Sequence, residues 1–148
     1  MYDAILLDLD GVIYRGKEPI PGASHTLQTW HNNGTPYAFI TNNAARDVDE
    51  IALTISSFDI PCTPQHVRTS AQAAAEKLAH DIDTDSAVLV LGGEFLRSCV
   101  ESFGFTVITP DNHDWLTQNT PAAVVQGFGP QTTWTDISWA ITCLLYTS

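Results

Sequence analysis

The apolar run Ala4-Ile5-Leu6-Leu7 ends in two aspartates one residue apart, Asp8 and Asp10, in the string DLDGVIY. Four apolar residues suit a short buried strand and are far too few for a membrane span. An isolated buried carboxylate costs several kcal/mol unless it is paired, metal-bound or functional, so a buried strand that finishes in two of them points to chemistry at that end. Residues i and i+2 of an extended segment point to the same side. Both carboxylates can therefore address one metal ion or one substrate atom, and Gly11 lets the backbone turn away.

A second polar cluster follows one crossover later. Pro36-Tyr37-Ala38-Phe39-Ile40 reads as another buried strand and ends in Thr41-Asn42-Asn43. Between the two runs, residues 23–33 place Ala23, Leu27 and Trp30 at helical spacing and stop at Gly34, a residue suited to the position just past a helix C-terminus. Strand, helix, strand is a βαβ unit with parallel strands. Open α/β sheets bind ligands outside the carboxyl ends of their strands, so both polar clusters are expected at one edge.

The α/β pattern continues. Val48, Ile51, Ala52, Ile55 and Phe58 recur at helical spacing, with Asp47 and Glu50 set as a capping pair. His66-Val67-Arg68 predicts a short strand, and Thr69 with Gln72 a capping box for a helix over 70–80 with Ala71, Ala74, Ala75 and Leu78 on its inner face. The polar stretch 81–85 breaks both periodicities and is the expected boundary. Beyond it the pattern predicts a strand over 87–91, a Gly92-Gly93 turn, a helix over 94–102, a strand over 105–109, a loop over 110–120, a strand over 122–126 and a helix starting near Thr132.

Composition narrows the partners. With 148 residues and 44% hydrophobic content the chain can bury a real core, and no apolar stretch spans a bilayer. A formal charge of −11 with six Lys and Arg argues against nucleic acid or an anionic membrane as partner. An anionic ligand must then be held by metal, backbone N–H groups and hydroxyls. Cys62, Cys99 and Cys143 have neither disulfide-scaffold density nor metal-ligand spacing, and the N-terminus has no charged, cleavable leader, so a cytoplasmic location is expected.

DLDGVIYRGKEPIPGA followed by FITNNAAR resembles the first two signature motifs of the haloacid dehalogenase superfamily, in its NagD and 4-nitrophenylphosphatase branch. The similarity continues through TSAQAAAEKL and VLGGEFL to about Ile141. It implies a Rossmann-like core, present as its N-terminal half over 1–83, and part of an inserted α/β cap over 84–142. It also implies hydrolysis of a small phosphorylated metabolite with Mg2+ and a homodimer through the cap. Asp8 would be the nucleophile that forms an aspartyl-phosphate. Asp10 would protonate the leaving group and then deprotonate water, a division of labour helped by the way one carboxylate raises the pKa of its neighbour. Magnesium would be held at Asp8 and Asp10, the latter through its backbone carbonyl. Gly11, Thr41, Asn42 and Asn43 would bind phosphate and substrate.

The family's later lysine and carboxylate pair have no match here. Lys17 and Lys77 read as surface residues, and Arg46, at a position often basic in the family, reads as a solvated helix start. Where many relatives carry Gly-x-Asp after the third cap strand, this chain has Gly127-Phe128-Gly129. The six residues 143–148 back-translate as TGT CTC TTA TAC ACA TCT, the transposase end sequence of some sequencing libraries, and are expected to be a non-native tail. The chain by itself is expected to be inactive. The alternatives are an inert or non-catalytic fragment and a relative of another reaction class on the same scaffold.

Overall fold

The computed structural model describes residues 3–145, and the chain divides into two compact α/β units. One comprises Met1–Asn42 and Arg46–Ser70, the other Asn43–Ala45 and Ala71–Ser148, as far as the residues are described.

The first unit contains β1 (Ile5–Asp8), a two-stranded hairpin of β2 (Tyr14–Arg15) and β3 (Glu18–Pro19), α1 (Ala23–Asn32), β4 (Tyr37–Thr41), α2 (Val48–Ser56) and β5 (Val67–Thr69). Strands β1, β4 and β5 form a parallel sheet in that order, with Ile5 opposite Tyr37 and Thr41 opposite Thr69. Leu27 of α1 and Ile51, Ala52 and Ile55 of α2 bury against Tyr37, Phe39 and Val67. Phe39 and Ile55 are fully buried. Both crossover helices thus cover one face of the sheet, while Leu6 and Ile40 on the other are exposed.

Local chemistry accounts for the boundaries. Gly34, at φ +69°, follows α1 in the left-handed conformation that lets its N–H reach the carbonyl of His31. Asp47 caps α2 by accepting from the Asp49 N–H at 2.9 Å. The expected capping partner Glu50 is instead paired with Arg46, because the two stand one helical turn apart on the exposed side. His66 lies in a 3-10 turn, Pro64–His66, and not in the strand: its Nδ1 accepts from the Thr63 N–H, so β5 begins one residue later than the sequence predicts.

The second unit contains α3, whose helix runs Ser70–Asp81, then β6 (Ala87–Leu91), α4 (Glu94–Ser102), β7 (Thr106–Ile108), α5 (His113–Gln118), β8 (Ala123–Gln126) and α6 (Trp134–Leu145). Its parallel sheet has the order β7-β6-β8. Central β6 feeds both faces. Val88 and Val90 pack with Ala71 and Ala75 of α3 and Leu96 and Val100 of α4, whereas Leu89 and Leu91 pack with Leu116 of α5 and Ala140 of α6.

The expected loop 110–120 contains α5. Asn112 holds its start by accepting from the N–H and hydroxyl of Thr109, and the Asn112 carbonyl accepts from the Leu116 N–H. Burial of Leu116 repays that single turn and a half. The chain's partition also falls earlier than the polar stretch 81–85, at Ser70/Ala71. Residues 143–145 continue α6, and the remainder of the expected tail, Tyr146, Thr147 and Ser148, lies outside the described residues.

Candidate active site

Strand alternation puts Leu6 and Asp8 on the exposed side of β1, and the next residue, Leu9, is 1% exposed and anchored in the core. Asp10 then emerges again to solvent. The intervening leucine is therefore what lets Asp-x-Asp present two carboxylates while the chain stays pinned. The desolvation expected from the apolar run does not arise, because the strand ends at the sheet's edge and both aspartates are exposed.

A tight turn fixes the pair. The Leu9 carbonyl accepts from the N–H groups of Val12, Ile13 and Tyr14 at 3.3, 2.9 and 3.2 Å, and the Gly11 N–H donates to the Tyr14 carbonyl at 2.7 Å. Gly11 sits at φ +79°, which a side chain rarely adopts. Asp10 makes a bridge pairing with Tyr14 across this turn, and Asp8 Oδ1 accepts from the Leu9 N–H at 2.8 Å.

Thr41 ends β4, the strand beside β1, one step beyond the Asp8–Ile40 pair. Parallel neighbours stand roughly 4.8 Å apart, so Asp8, Asp10 and Thr41 occupy the carboxyl ends of adjacent strands. Asn42 follows, and its carbonyl accepts from the Ser70 hydroxyl at 2.8 Å, which ties the end of β4 to the residue after β5. Asn43 is used differently. Its side-chain oxygen accepts from the Ala45 N–H at 2.8 Å in a local turn, and it opens the short segment that belongs to the second unit. The first unit brings together Asp8, Asp10, Gly11, Thr41 and Asn42, and Asn43 is not among them.

Three residues of this neighbourhood escape a sequence reading. Tyr14 packs its ring on Phe58, with centroids 5.9 Å apart. Burial pushes its phenol pKa up, the Arg46 guanidinium opposes this, and the charges of Asp10 and Asp8 reinforce it. Arg46 is held by Glu50 and by the Thr54 hydroxyl at 2.8 Å, so it is a fixed cation rather than a free surface arginine. Ser70 is the third. Only its place at the start of a helix following a strand end could have signalled its bond to Asn42.

Among the described residues no group of three or more His, Cys, Asp or Glu side chains is placed to hold a metal ion. The Asp8 carboxylate is a hard oxygen donor open to solvent, and Asp10 would add its backbone carbonyl. That set fits magnesium, which binds through one or two carboxylates and fills its remaining positions with water and phosphate oxygens.

The profile of the haloacid dehalogenase-like hydrolases matches residues 5–106. A 5'-nucleotidase from Bacillus subtilis is 39% identical over 105 residues, covering 71% of this chain and 41% of that protein. A D-glycerol 3-phosphate phosphatase from Mycobacterium tuberculosis is 34% identical over 139 residues, covering 94% of this chain and 37% of its own. The crystal structure of the glycerol phosphate phosphatase from that organism in complex with magnesium superposes with a TM-score of 0.81 at 33% identity, covering 96% of this chain and 41% of that one. A calcium complex of the same phosphatase gives a TM-score of 0.82. The chain thus spans less than half the length of these relatives.

Proposed function

The chain belongs to the haloacid dehalogenase-like hydrolases, and from that premise we propose that the protein of which these residues form part hydrolyses small phosphate monoesters through an aspartyl-phosphate on Asp8. The observation that carries this reading is the presentation of Asp8 and Asp10 by the Leu9-anchored turn at the carboxyl end of β1, beside Thr41 on the adjacent strand. The names of the relatives, a 5'-nucleotidase and a D-glycerol 3-phosphate phosphatase, support the substrate class.

In this reading an Asp8 oxygen attacks phosphorus as the bond to the leaving alkoxide breaks, and Asp10 delivers the proton that the alkoxide takes up. Asp10 then removes a proton from water, whose oxygen attacks phosphorus, releasing inorganic phosphate and restoring the Asp8 carboxylate. Thr41 donates its hydroxyl to the phosphoryl oxygens, Asn42 offers its backbone N–H, Gly11 shapes the turn that lets phosphate approach, and Asn43 orients the loop that follows. Asp8 and Asp10 would hold a magnesium ion, which would lower the repulsion between the carboxylates and the incoming phosphate anion.

Residues 1–83 are read as the N-terminal half of the catalytic core and residues 84–142 as half of an α/β cap. The 148 residues alone are read as inactive, because among the described residues no third His, Cys, Asp or Glu joins Asp8 and Asp10 in a metal-holding group, and the family's later lysine has no match in the sequence. Lys77 is paired with Asp81 on α3, and Lys17 lies on the β2–β3 hairpin. A cytoplasmic location is supported by Cys62 and Cys99, neither of which is in a disulfide. Homodimerisation through the second unit is supported by Trp134 and Ile141, which lie exposed along α6.

The test is Asp8→Asn in the full-length protein, assayed by phosphate release from a panel of monoesters with magnesium. Turnover should vanish, since the amide is a poor nucleophile and a weaker ligand. Retention of most of the parental rate overturns the assignment. Asp10→Asn should cost most on substrates with poor leaving groups, and equal losses across the panel would remove its acid role.

A further inference from the structure

The turn that carries Asp10 is closed by a residue whose side chain reaches back to the helices. The Tyr14 N–H donates to the Leu9 carbonyl at 3.2 Å, the Tyr14 carbonyl accepts from the Gly11 N–H at 2.7 Å, and Tyr14 is the bridge partner of Asp10. Leu9 and Ile13 also pin the turn in the core, but Tyr14 is the residue paired with Asp10 itself. Where the Tyr14 side chain is held therefore decides where that paired backbone stands.

The holding point is aromatic. Tyr14 is half-buried against the core of the first unit, and its ring meets Phe58 with centroids 5.9 Å apart and planes inclined at 48°, within the roughly 4.5–7 Å range of attractive aromatic pairs. Phe58 is a fixed partner. Its N–H donates to the Ile55 carbonyl at 3.1 Å, and its own carbonyl accepts from the Ser24 hydroxyl at 2.7 Å. The carbonyl of the next residue, Asp59, accepts from Gln28 Nε2 at 2.6 Å. Ser24 and Gln28 belong to α1 and Phe58 follows α2, so the two crossover helices are latched together where Tyr14 docks. Asp59 sits at φ +59°, a conformation uncommon outside glycine, and the bonds from α1 hold the chain there.

We propose that Tyr14 is a positioning residue for Asp10, carrying the fixed α1–α2 corner at Phe58 through its ring and backbone to the turn that presents the carboxylate. The inference rests on the acid role of Asp10 proposed above. Proton delivery demands hydrogen-bond reach of the leaving oxygen, and a displacement of about 1 Å can cost on the order of 10²-fold. A ring that merely filled space would change stability without regard to the leaving group.

The experiment compares kcat/KM of the full-length enzyme, with magnesium, on 4-nitrophenyl phosphate, whose leaving group departs without a proton, and on the alkyl monoester of the panel that it hydrolyses fastest, whose alkoxide needs one. This quantity reports phosphoryl transfer to Asp8 and leaves out the later hydrolysis. Tyr14→Leu and Phe58→Leu should each lower it by about 10- to 100-fold on the alkyl ester and leave the aryl ester near the parental value. Tyr14→Phe keeps the ring and should restore the parental ratio. Trp30→Leu, a change in the same core cluster outside the ring pair, should leave the ratio unchanged. Hydrogen exchange at Gly11 is a second readout that needs no catalysis: its bond to the Tyr14 carbonyl should open faster in Tyr14→Leu and Phe58→Leu, and not in Tyr14→Phe or Trp30→Leu. No loss on the alkyl ester, equal losses on both esters, or Gly11 exchange unmoved in Phe58→Leu overturns the proposal. An active Asp8→Asn enzyme would instead overturn the aspartyl-phosphate reading, and Gly11 exchange would still decide whether Tyr14 holds the turn.

Discussion

Replacing Gly11 by alanine isolates the backbone contribution of the turn that presents Asp10. An added Cβ meets no atom within 4 Å, so the substitution creates no clash and no cavity. The cost is conformational. At φ +79° an L-residue is strained by about 1–2 kcal/mol, offset by about 0.4–1 kcal/mol of reduced unfolded-chain entropy. The net loss should be about 1 kcal/mol, measured by urea denaturation of the 148-residue chain. Gly34 supplies the control, since it has φ +69°, the same open surroundings and a place at the end of α1, away from the aspartates. Gly34→Ala should cost a similar amount in stability. Gly11→Asn should cost less than Gly11→Ala, because asparagine tolerates the left-handed region. In the full-length enzyme the two alanine variants should separate: Gly11→Ala slows turnover by shifting Asp10, and Gly34→Ala leaves it alone. Equal stability of Gly11→Ala and the parent, or equal kinetic losses in both variants, refutes the idea that strain at Gly11 is what aims Asp10.

Burial pushes the Cys62 thiol up to about 11, so alkylation at pH 8 should be on the order of tenfold to a hundredfold slower than for an exposed thiol. Because that pKa is raised on folding, the associated stability is complete below the ordinary thiol value of 9.0 and is lost as pH climbs toward 11, visible as a fall in the urea midpoint that is smaller in Cys62→Ala, where the raised Tyr14 and Tyr37 phenols alone contribute. Ser70→Ala removes the donor to the Asn42 carbonyl and should cost about 1 kcal/mol, with faster amide exchange at Asn42 and Asn43. Trp134 is 77% exposed, and Trp134→Glu should shift a dimer to monomer in sedimentation without lowering the thermal midpoint.

Much of the fold is legible because hydrophobic periodicity is strong where single elements bury themselves. The strand Ala87–Leu91 and the helix Glu94–Ser102 fall where the pattern predicts, since an unbroken apolar run flanked by Gly92-Gly93 and a polar stretch has no competing reading. Where polar residues dominate, the pattern hides structure. Asp, Asn, His and Thr mask α5, which exists because the Asn112 side chain fixes the turn before it by accepting from Thr109 and one leucine reaches the core. The hairpin β2–β3 is hidden for another reason. Strands of two residues carry no period, and the turn at Gly16 forms from backbone pairing of Tyr14 with Pro19.

The unit boundary is the instructive difference. A polar stretch such as 81–85 marks where the chain turns to solvent, and it does so here, after α3. Membership of a unit is decided instead by what a helix buries. Ala71 and Ala75 are fully buried among Val88, Val90, Leu96 and Val100, whereas the helix residues that face solvent, Glu76 and Lys77, are the ones a composition scan weighs. Small side chains permit that close approach but carry no signal of which sheet they will approach. The same asymmetry governs the candidate site. Asp8, Asp10 and Thr41 are legible because carboxylates and a hydroxyl at the ends of apolar runs break a local rule, while Ser70 and Arg46 break none. Their roles arise from pairings that only the folded chain brings about, Ser70 to Asn42 across 28 residues and Arg46, just before α2, to Thr54 within it.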